Sequence, residues 1–181
     1  MKLSFKAVSA ATWEDFESLF EARGGPKSCW CMVWRANAEE SRHTDGPSRK
    51  GYIHKRVEKG IPIGILGYID REPIAWCSIA PKETYRNLTG QVETEVAHVW
   101  SLVCFFLLRK YRNQRLAHQL IEAATTYAMK NGARTLEAYP VDTDSPSFRF
   151  MGYVETFKAA GFTEIGRAGT RRHIMTKRIV D

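Results

Sequence analysis

Apolar and polar residues follow two rhythms along the chain, one of period two and one near 3.6, and their alternation predicts the elements. Residues 3–8 alternate and predict a strand. Thr12 ahead of Trp13-Glu-Asp predicts a capped helix that runs to Arg23 and stops at Gly24-Gly25-Pro26. Residues 29–35 are rich in sulfur and aromatic rings, and residues 36–47 are polar and read as an exposed loop. Residues 48–59 predict a helix with Tyr52, Ile53 and Val57 on one side. Residues 61–69 and 73–79, parted by Asp70-Arg71-Glu72, predict a hairpin. The unbroken apolar run over 96–108 predicts a long strand buried on both faces. Residues 114–130 predict the strongest helix, with Leu116, Leu120, Ala124 and Ala128 on one face and Asn131-Gly132 as its stop. A strand over 135–141, a helix from Asp144-Ser145-Pro146 to Gly161, and short strands over 163–167 and 173–179 complete the chain. The order β-α-α-β-β-β-α-β-α-β-β describes a mixed α/β domain with a strand-helix-strand unit over 96–141 and no internal repeat.

Composition narrows the class. The chain has 181 residues, 44% hydrophobic and 26% charged, which fits one domain over 1–181. A domain of that size buries roughly 70% of its unfolded surface and needs neither disulfide nor metal to fold. The N-terminus has no apolar core of a signal peptide, and the most apolar stretch, 99–108, is half of the ~20 residues a membrane helix needs. A cytoplasmic protein away from membranes is expected. Cysteines stand at 29, 31, 77 and 104. A single residue separates the first two, which is not zinc-site spacing, so no metal and reduced thiols are expected.

The net charge of +7 is scattered, apart from clusters at 109–115 and 167–178. No aromatic-basic nucleic-acid module accompanies them, so nucleic acid is not the expected partner; a phosphorylated small molecule explains a local basic cluster equally well. The first cluster sits where the long strand meets the strong helix. A helix N-terminus leaves backbone N–H groups unpaired and carries partial positive charge, so this junction is a candidate anion seat.

The turn itself, Tyr111-Arg112-Asn-Gln-Arg115-Leu-Ala117, resembles motif A of the GNAT superfamily of acyl-CoA-dependent N-acyltransferases, which reads Arg/Gln-x-x-Gly-x-Gly/Ala after an apolar strand. The element order is similar to the whole superfamily fold, and Phe157-Lys-Ala-Ala-Gly161-Phe162 resembles its Tyr-x-x-x-Gly-Phe ending. Residues 29–35 and 137–141 resemble a bacterial branch with no uniform substrate. The resemblance implies a mixed, mostly antiparallel central sheet flanked by helices, and acetyl-CoA as acyl donor. It implies that the cofactor pyrophosphate lies on the turn, on Arg112, Asn113, Gln114, Arg115, Leu116, Ala117 and His118. It implies that the pantetheine arm pairs with Phe105, Phe106 and Leu107 of the preceding strand. It also allows a homodimer.

Three positions depart from the family pattern. Arg115 stands where glycine is expected, and its side chain either pairs with a phosphate or obstructs the turn. The family's proton-donating tyrosine is replaced by Phe157; Tyr153, four residues earlier on the expected helix, is either a substitute acid or a packing residue. The family's carboxylate on the central strand is missing, leaving Ser101 and, just before the strand, His98 as a candidate base or a structural histidine. Glu137 and Tyr139 share a strand face by alternation and either meet the acceptor or form a hydrogen-bonded face. Trp30, Trp34, Trp76 and Trp100 are either core or, for Trp30, Trp34 and Trp100, walls of an acceptor pocket over which residues 36–47 close.

Direct transfer of acetyl to a primary amine of a small molecule is the expected chemistry, with a ping-pong route through Cys104 or Cys31 as a minor variant. Binding of acetyl-CoA with little turnover, and acetylation of a ribosomal or RNA-associated acceptor, are the competing expectations.

Overall fold

The computed structural model describes residues 2–180. Its frame is one seven-stranded sheet in the order β1-β2-β3-β4-β5-β7-β6. The strands are β1 (Ser4–Ala7), β2 (Gly64–Ile69), β3 (Glu72–Pro81), β4 (Val99–Leu107), β5 (Thr135–Ala138), β6 (Thr163–Ala168) and β7 (Arg172–Arg178). Only β4 and β5 run parallel; every other neighbouring pair is antiparallel. This is the mixed, mostly antiparallel sheet that the resemblance implied. The β2–β3 hairpin turns on Asp70 and Arg71, both with positive φ (47° and 69°), which matches the right-handed twist of the two strands.

Helices cover both faces. On one side, α3 (Leu116–Lys130) and α4 (Val154–Ala159) seal a core of Trp100, Leu102, Leu120, Ile121, Leu136 and Phe157. The apolar face read from the sequence is the buried one: Leu116, Leu120, Ala124 and Ala128 all lie within it. Leu120 is fully buried. Leu120→Ala is therefore expected to cost about 2–5 kcal/mol, measurable by urea denaturation; a cost under ~1 kcal/mol would show that this face packs loosely. On the other side, α1 (Trp13–Glu21) and α2 (Gly46–Glu58) cover Phe16, Phe20, Trp30, Ile53, Leu66 and Trp76. Asp45 caps α2 by accepting from the Ser48 amide at 2.8 Å. Thr12 stands at the N-cap of α1, but its hydroxyl donates to the Ala7 carbonyl at 2.8 Å instead of capping the helix.

One span differs from the sequence reading in a way that shapes the site. The helix expected from residue 144 to 161 is only α4, because Phe148 and Gly152 take positive φ (60° and 87°) and break it. Gly152 is required there: a Cβ would stand 2.9 Å from the Phe157 ring. The polar segment 36–47 is exposed over most of its length, as the sequence reading expected, and it is anchored at one point. Glu40 accepts from Arg56 of α2 at 2.8 Å through both carboxylate oxygens, and this contact, foremost, holds the Glu40 carboxyl below its usual range. A segment tied in this way to α2 does not behave as a free lid.

Candidate active site

Parallel pairing of β4 with β5 lasts only from Val99–Thr135 to Leu102–Ala138. Beyond Ala138 the chain turns away and pairs instead with the segment before α4: the Val141 amide donates to the Gly152 carbonyl at 3.0 Å, and the Val154 amide to the Val141 carbonyl at 3.1 Å. The strands part, and the last residues of β4 keep β3 on one edge and lose a partner on the other. A bulge in the β3–β4 register, where Ser78 faces Cys104 and Ile79 faces Leu102, leaves Val103 as the extra residue at the point of parting. β4 is buried from Val99 to Val103 and half-buried from Cys104 to Leu107. The expected burial of both faces holds for its first half only.

The parting opens a cleft of about 640 Å³. Phe105, Phe106 and Leu107 form one wall; Arg149, Phe150, Tyr153 and Thr156 face them; Arg112, Asn113, Arg115, Leu116 and Ala117 close the end. Eight of the ten anticipated donor-binding residues thus line one space. Gln114 and His118 do not: both are exposed, and the Gln114 side-chain Nε2 donates to the Lys110 carbonyl at 3.2 Å. Those two positions can offer only their backbone N–H groups.

The turn is built to present its backbone. Asn113 and Arg115 have positive φ (63° and 57°), and Arg115 is the N-cap of α3 without any side-chain cap. Arg115 therefore lies in the left-handed conformation that glycine favours, rather than in the first helical turn. The 15-residue helix beyond it keeps its unpaired N–H groups and positive end for an incoming anion. Two of the four cations are engaged locally: Lys110 pairs with Glu72 at 3.1 Å, and Arg112 Nε donates to the Leu107 carbonyl at 3.1 Å. A left-handed arginine costs about 1–2 kcal/mol of strain. Arg115→Gly is expected to keep or slightly raise the melting temperature and to change acetyl-CoA affinity without changing saturated turnover. Arg115→Val should lower stability by about 1–2 kcal/mol. Equal melting temperatures for the two variants would refute the strained geometry.

Tyr153 is the N-cap of α4, with extended backbone, rather than a residue one turn back on a longer helix. Its hydroxyl accepts from Arg149 Nε at 3.0 Å, so the phenolic proton stays available toward the cleft. Phe157, in the place of the family's tyrosine, is fully buried between the rings of Phe105 and Phe162. His98 is not at the cleft. It is exposed, has φ 59°, and precedes β4; its carbonyl accepts from the Arg134 amide at 2.8 Å. Six residues of extended chain, about 20 Å, separate it from Cys104 at the parting, so it is out of reach as a base.

The anticipated acceptor residues do not form one wall. Trp30 is buried against Phe20 in the α1–α2 core, and Trp100 is buried on the opposite face against Tyr127. Trp34 is half-buried with the Arg172 guanidinium 4.5 Å from its ring. Glu137 and Tyr139 do share a face, but both are sealed inside. The Tyr139 hydroxyl donates to Glu137 Oε1 at 2.6 Å and bonds Ser101 Oγ at 2.8 Å, and Lys82 Nζ lies 2.9 Å from the same carboxylate. Burial, foremost, then the neighbouring carboxylate, pushes the Tyr139 phenol far above its usual range. This group joins β4, β5 and Lys82 in one buried hydrogen-bonded cluster. The sequence reading missed Arg149, whose only early signal was its spacing of four from Tyr153, and Lys82, which no local pattern marks.

A sheet that opens beside a bulged central strand onto an uncapped helix N-terminus is the arrangement that the resemblance to the acyl-CoA-dependent transferases implied. The chain belongs to the acetyltransferase (GNAT) family, whose sequence model matches residues 13–153. Enzymes of this family use acetyl-CoA as the acyl donor, and the apolar strand edge, the cleft and the uncapped turn fit that molecule. No curated protein matches the chain. Among solved structures it is similar in fold to the PaiA N-acetyltransferase of Thermoplasma acidophilum in complex with coenzyme A, at 16% identity and TM-score 0.56, over 98% of this chain and 99% of that one. It is also similar to YncA, a putative acetyltransferase of Salmonella typhimurium with acetyl-CoA, at 11% identity and TM-score 0.60 over 99% and 95%. A ribosomal-protein-alanine N-acetyltransferase of Brucella melitensis matches at 14% identity and TM-score 0.60 over 97% and 99%. Among the described residues no helix is long and apolar enough to cross a membrane, and no metal-binding cluster occurs.

Proposed function

We propose that this acetyltransferase, as a single domain over residues 1–181 in the cytoplasm, transfers the acetyl group directly to a primary amine of a small molecule. The observation that carries the reading is the cleft that joins the free edge of β4 to the uncapped start of α3. Acetyl-CoA, when bound, supplies an activated thioester. The backbone of residues 105–107 holds the arm as an added strand would, and the N–H groups of residues 113–118 receive the diphosphate. In this reading a strand N–H beside the bulge stabilises negative charge on the thioester oxygen. Tyr153 faces this strand across the cleft and donates its Oη proton to the departing thiolate. Ser101 and Glu137 are both committed to Tyr139, so the amine proton leaves through water rather than to a fixed carboxylate.

Calorimetry with acetyl-CoA and with acetyl-pantetheine lacking the nucleotide tests the seat: only the first should bind tightly, and equal affinities would remove the diphosphate site. Thiol release on a panel of small amines tests the transfer. Binding without release on any amine would support the alternative of a regulatory acetyl-CoA module, which the burial of Phe157 in the usual acid's place favours. Release only with a protein or RNA-associated acceptor would support the macromolecular alternative. Nucleic acid is not required by the proposed reaction, and assembly as a homodimer is compatible with it.

A further inference from the structure

The fold gathers cysteines that the sequence scatters. Cys29, Cys31 and Cys104 line one cavity of about 20 Å³, close to the size of one water, together with Trp34, Arg35 and Phe150. All the chain's cysteines are free. Arg35 lies beneath them, 4% exposed. Its guanidinium donates to the Cys31 and Ile63 carbonyls at 2.9 and 2.6 Å, and to Ser78 Oγ and Tyr85 Oη at 2.8 and 2.9 Å. Every one of these acceptors is neutral, and Arg35 Nε finds none. A buried cation without a counter-charge is costly.

Cys31 can supply that charge. Trp76 Nε1 donates to its sulfur at 3.1 Å, and Cys104 lines the same small cavity, its thiol 3.9 Å from the Phe105 carbonyl. Led by the Cys104 hydrogen bond, with the Arg35 charge next among the favourable causes, these contacts lower the Cys31 pKa to about 7 against the opposing effect of burial. Interaction with Cys31, foremost, and loss of solvation raise Cys104 well above its usual value, and loss of solvation raises Cys29. Tyr85 is likewise pushed up by burial, so its phenol is no rival anion. The backbone is strained to place this sulfur: Trp30 and Cys31 both have positive φ, 47° and 54°. Strain of this kind collects at functional positions. The arrangement sets the Cys31 sulfur, held by the Trp76 indole, in one cavity with the Cys104 thiol and beside a fixed cation.

We propose that Cys31 and Cys104 are a peroxide-reactive thiol pair that closes to a Cys31–Cys104 disulfide at the parting of β4 from β5. The Cys31 sulfur attacks one oxygen of hydrogen peroxide. The O–O bond breaks, the departing hydroxide takes a proton from solvent, and Cys31 becomes a sulfenic acid. The Cys104 sulfur then attacks the Cys31 sulfur. The S–O bond breaks, and the hydroxide that leaves carries off the Cys104 proton as water. Two thiols lose two electrons, and one peroxide becomes two waters. The bond ties the segment before Arg35 to the residue preceding Phe105, at the wall of the cleft.

The test uses the full chain treated with hydrogen peroxide, followed by denaturation, alkylation and peptide mass mapping. The expected product is one linked peptide pair, Cys31 to Cys104, lighter by two hydrogens and released by a dithiol reductant. Cys104→Ser should block the link and leave a Cys31 sulfenic acid that dimedone captures. Cys29→Ser and Cys77→Ser should leave the link in place. The rate of thiol loss should rise about tenfold from pH 6 to 8, following the Cys31 thiolate, and should fall at least tenfold in Arg35→Gln while Arg35→Lys keeps most of it. Should Arg35→Gln fail to fold, the pH profile of the unmodified chain still decides, since a midpoint near 9 would mean that no thiolate is held. A Cys29–Cys31 link, four alkylated cysteines after peroxide, or unchanged oxidation of Cys31→Ser would each overturn the proposal. These readouts are masses and thiol counts, so they stand apart from whether any amine is acetylated.

Discussion

Tyr153→Phe is expected to lower acetyl transfer by about 10²–10⁴-fold, the range for removal of a general acid. Its affinity for acetyl-CoA and its melting temperature should stay close to those of the parent. The position explains the separation of effects. Tyr153 ends an extended segment at the N-cap of α4 and faces β4 across the cleft, while its ring is only half-buried. Its hydroxyl accepts from Arg149 at 3.0 Å, and removing the hydroxyl leaves that exposed guanidinium free to meet water. The conservative change thus costs little stability. Steady-state kinetics on whichever amine is a substrate, across pH 6–9, make the measurement. A Tyr153→Phe enzyme at full rate throughout that range would take the phenol out of the mechanism. His98→Ala is expected to be near the parent rate, because His98 lies outside the cleft.

The largest expected loss of stability follows from Lys82→Met. Lys82 Nζ lies 2.9 Å from Glu137 Oε1, with side-chain exposures of 12% and 2%. It also bonds Thr94 and the Glu95 carbonyl, the latter at 3.0 Å. Removing the cation leaves a buried carboxylate with only the Tyr139 hydroxyl against it. Breaking one side of a buried pair costs about 3–5 kcal/mol, enough to lower the melting temperature by roughly ten degrees or more for a domain of this size. Lys82→Met combined with Glu137→Gln should recover a large part of the loss, because the stranded charge is then gone. The check is a double-mutant cycle by chemical denaturation. Additive losses, with no recovery in the double variant, would show that Glu137 does not depend on Lys82.

The donor side was legible because it is made of contiguous sequence. A long apolar strand, a basic turn and an amphipathic helix follow one another within residues 96–130, and the chemistry there is asked of backbone N–H groups whose placement the turn controls. Eight of ten anticipated residues reach the cleft for that reason. The acceptor side was not legible. Trp30, Trp34 and Trp100 share a residue type but stand on different elements and different faces, and no local rhythm says which face of a two-sided sheet an aromatic ring will join. Helix spacing misled for Tyr153, because Phe148 and Gly152 broke the expected helix by their positive φ, and Phe148 carries no sequence signal for it.

By itself the sequence determined the order of elements, the apolar face of α3, the place of the basic turn before it and the family to which these belong. These depend on residues near one another in the chain, where propensity, period and charge act directly. Only the tertiary structure decided where β4 and β5 part, since that rests on Val141 pairing with Gly152 and Val154 rather than with β4. It alone turned Glu137 and Tyr139 inward onto Lys82, and gathered Cys29, Cys31 and Cys104 around Arg35. Long-range hydrogen bonds and buried charges choose partners dozens of residues away, and the physical cost of leaving them unpaired is visible only once the chain has closed on itself.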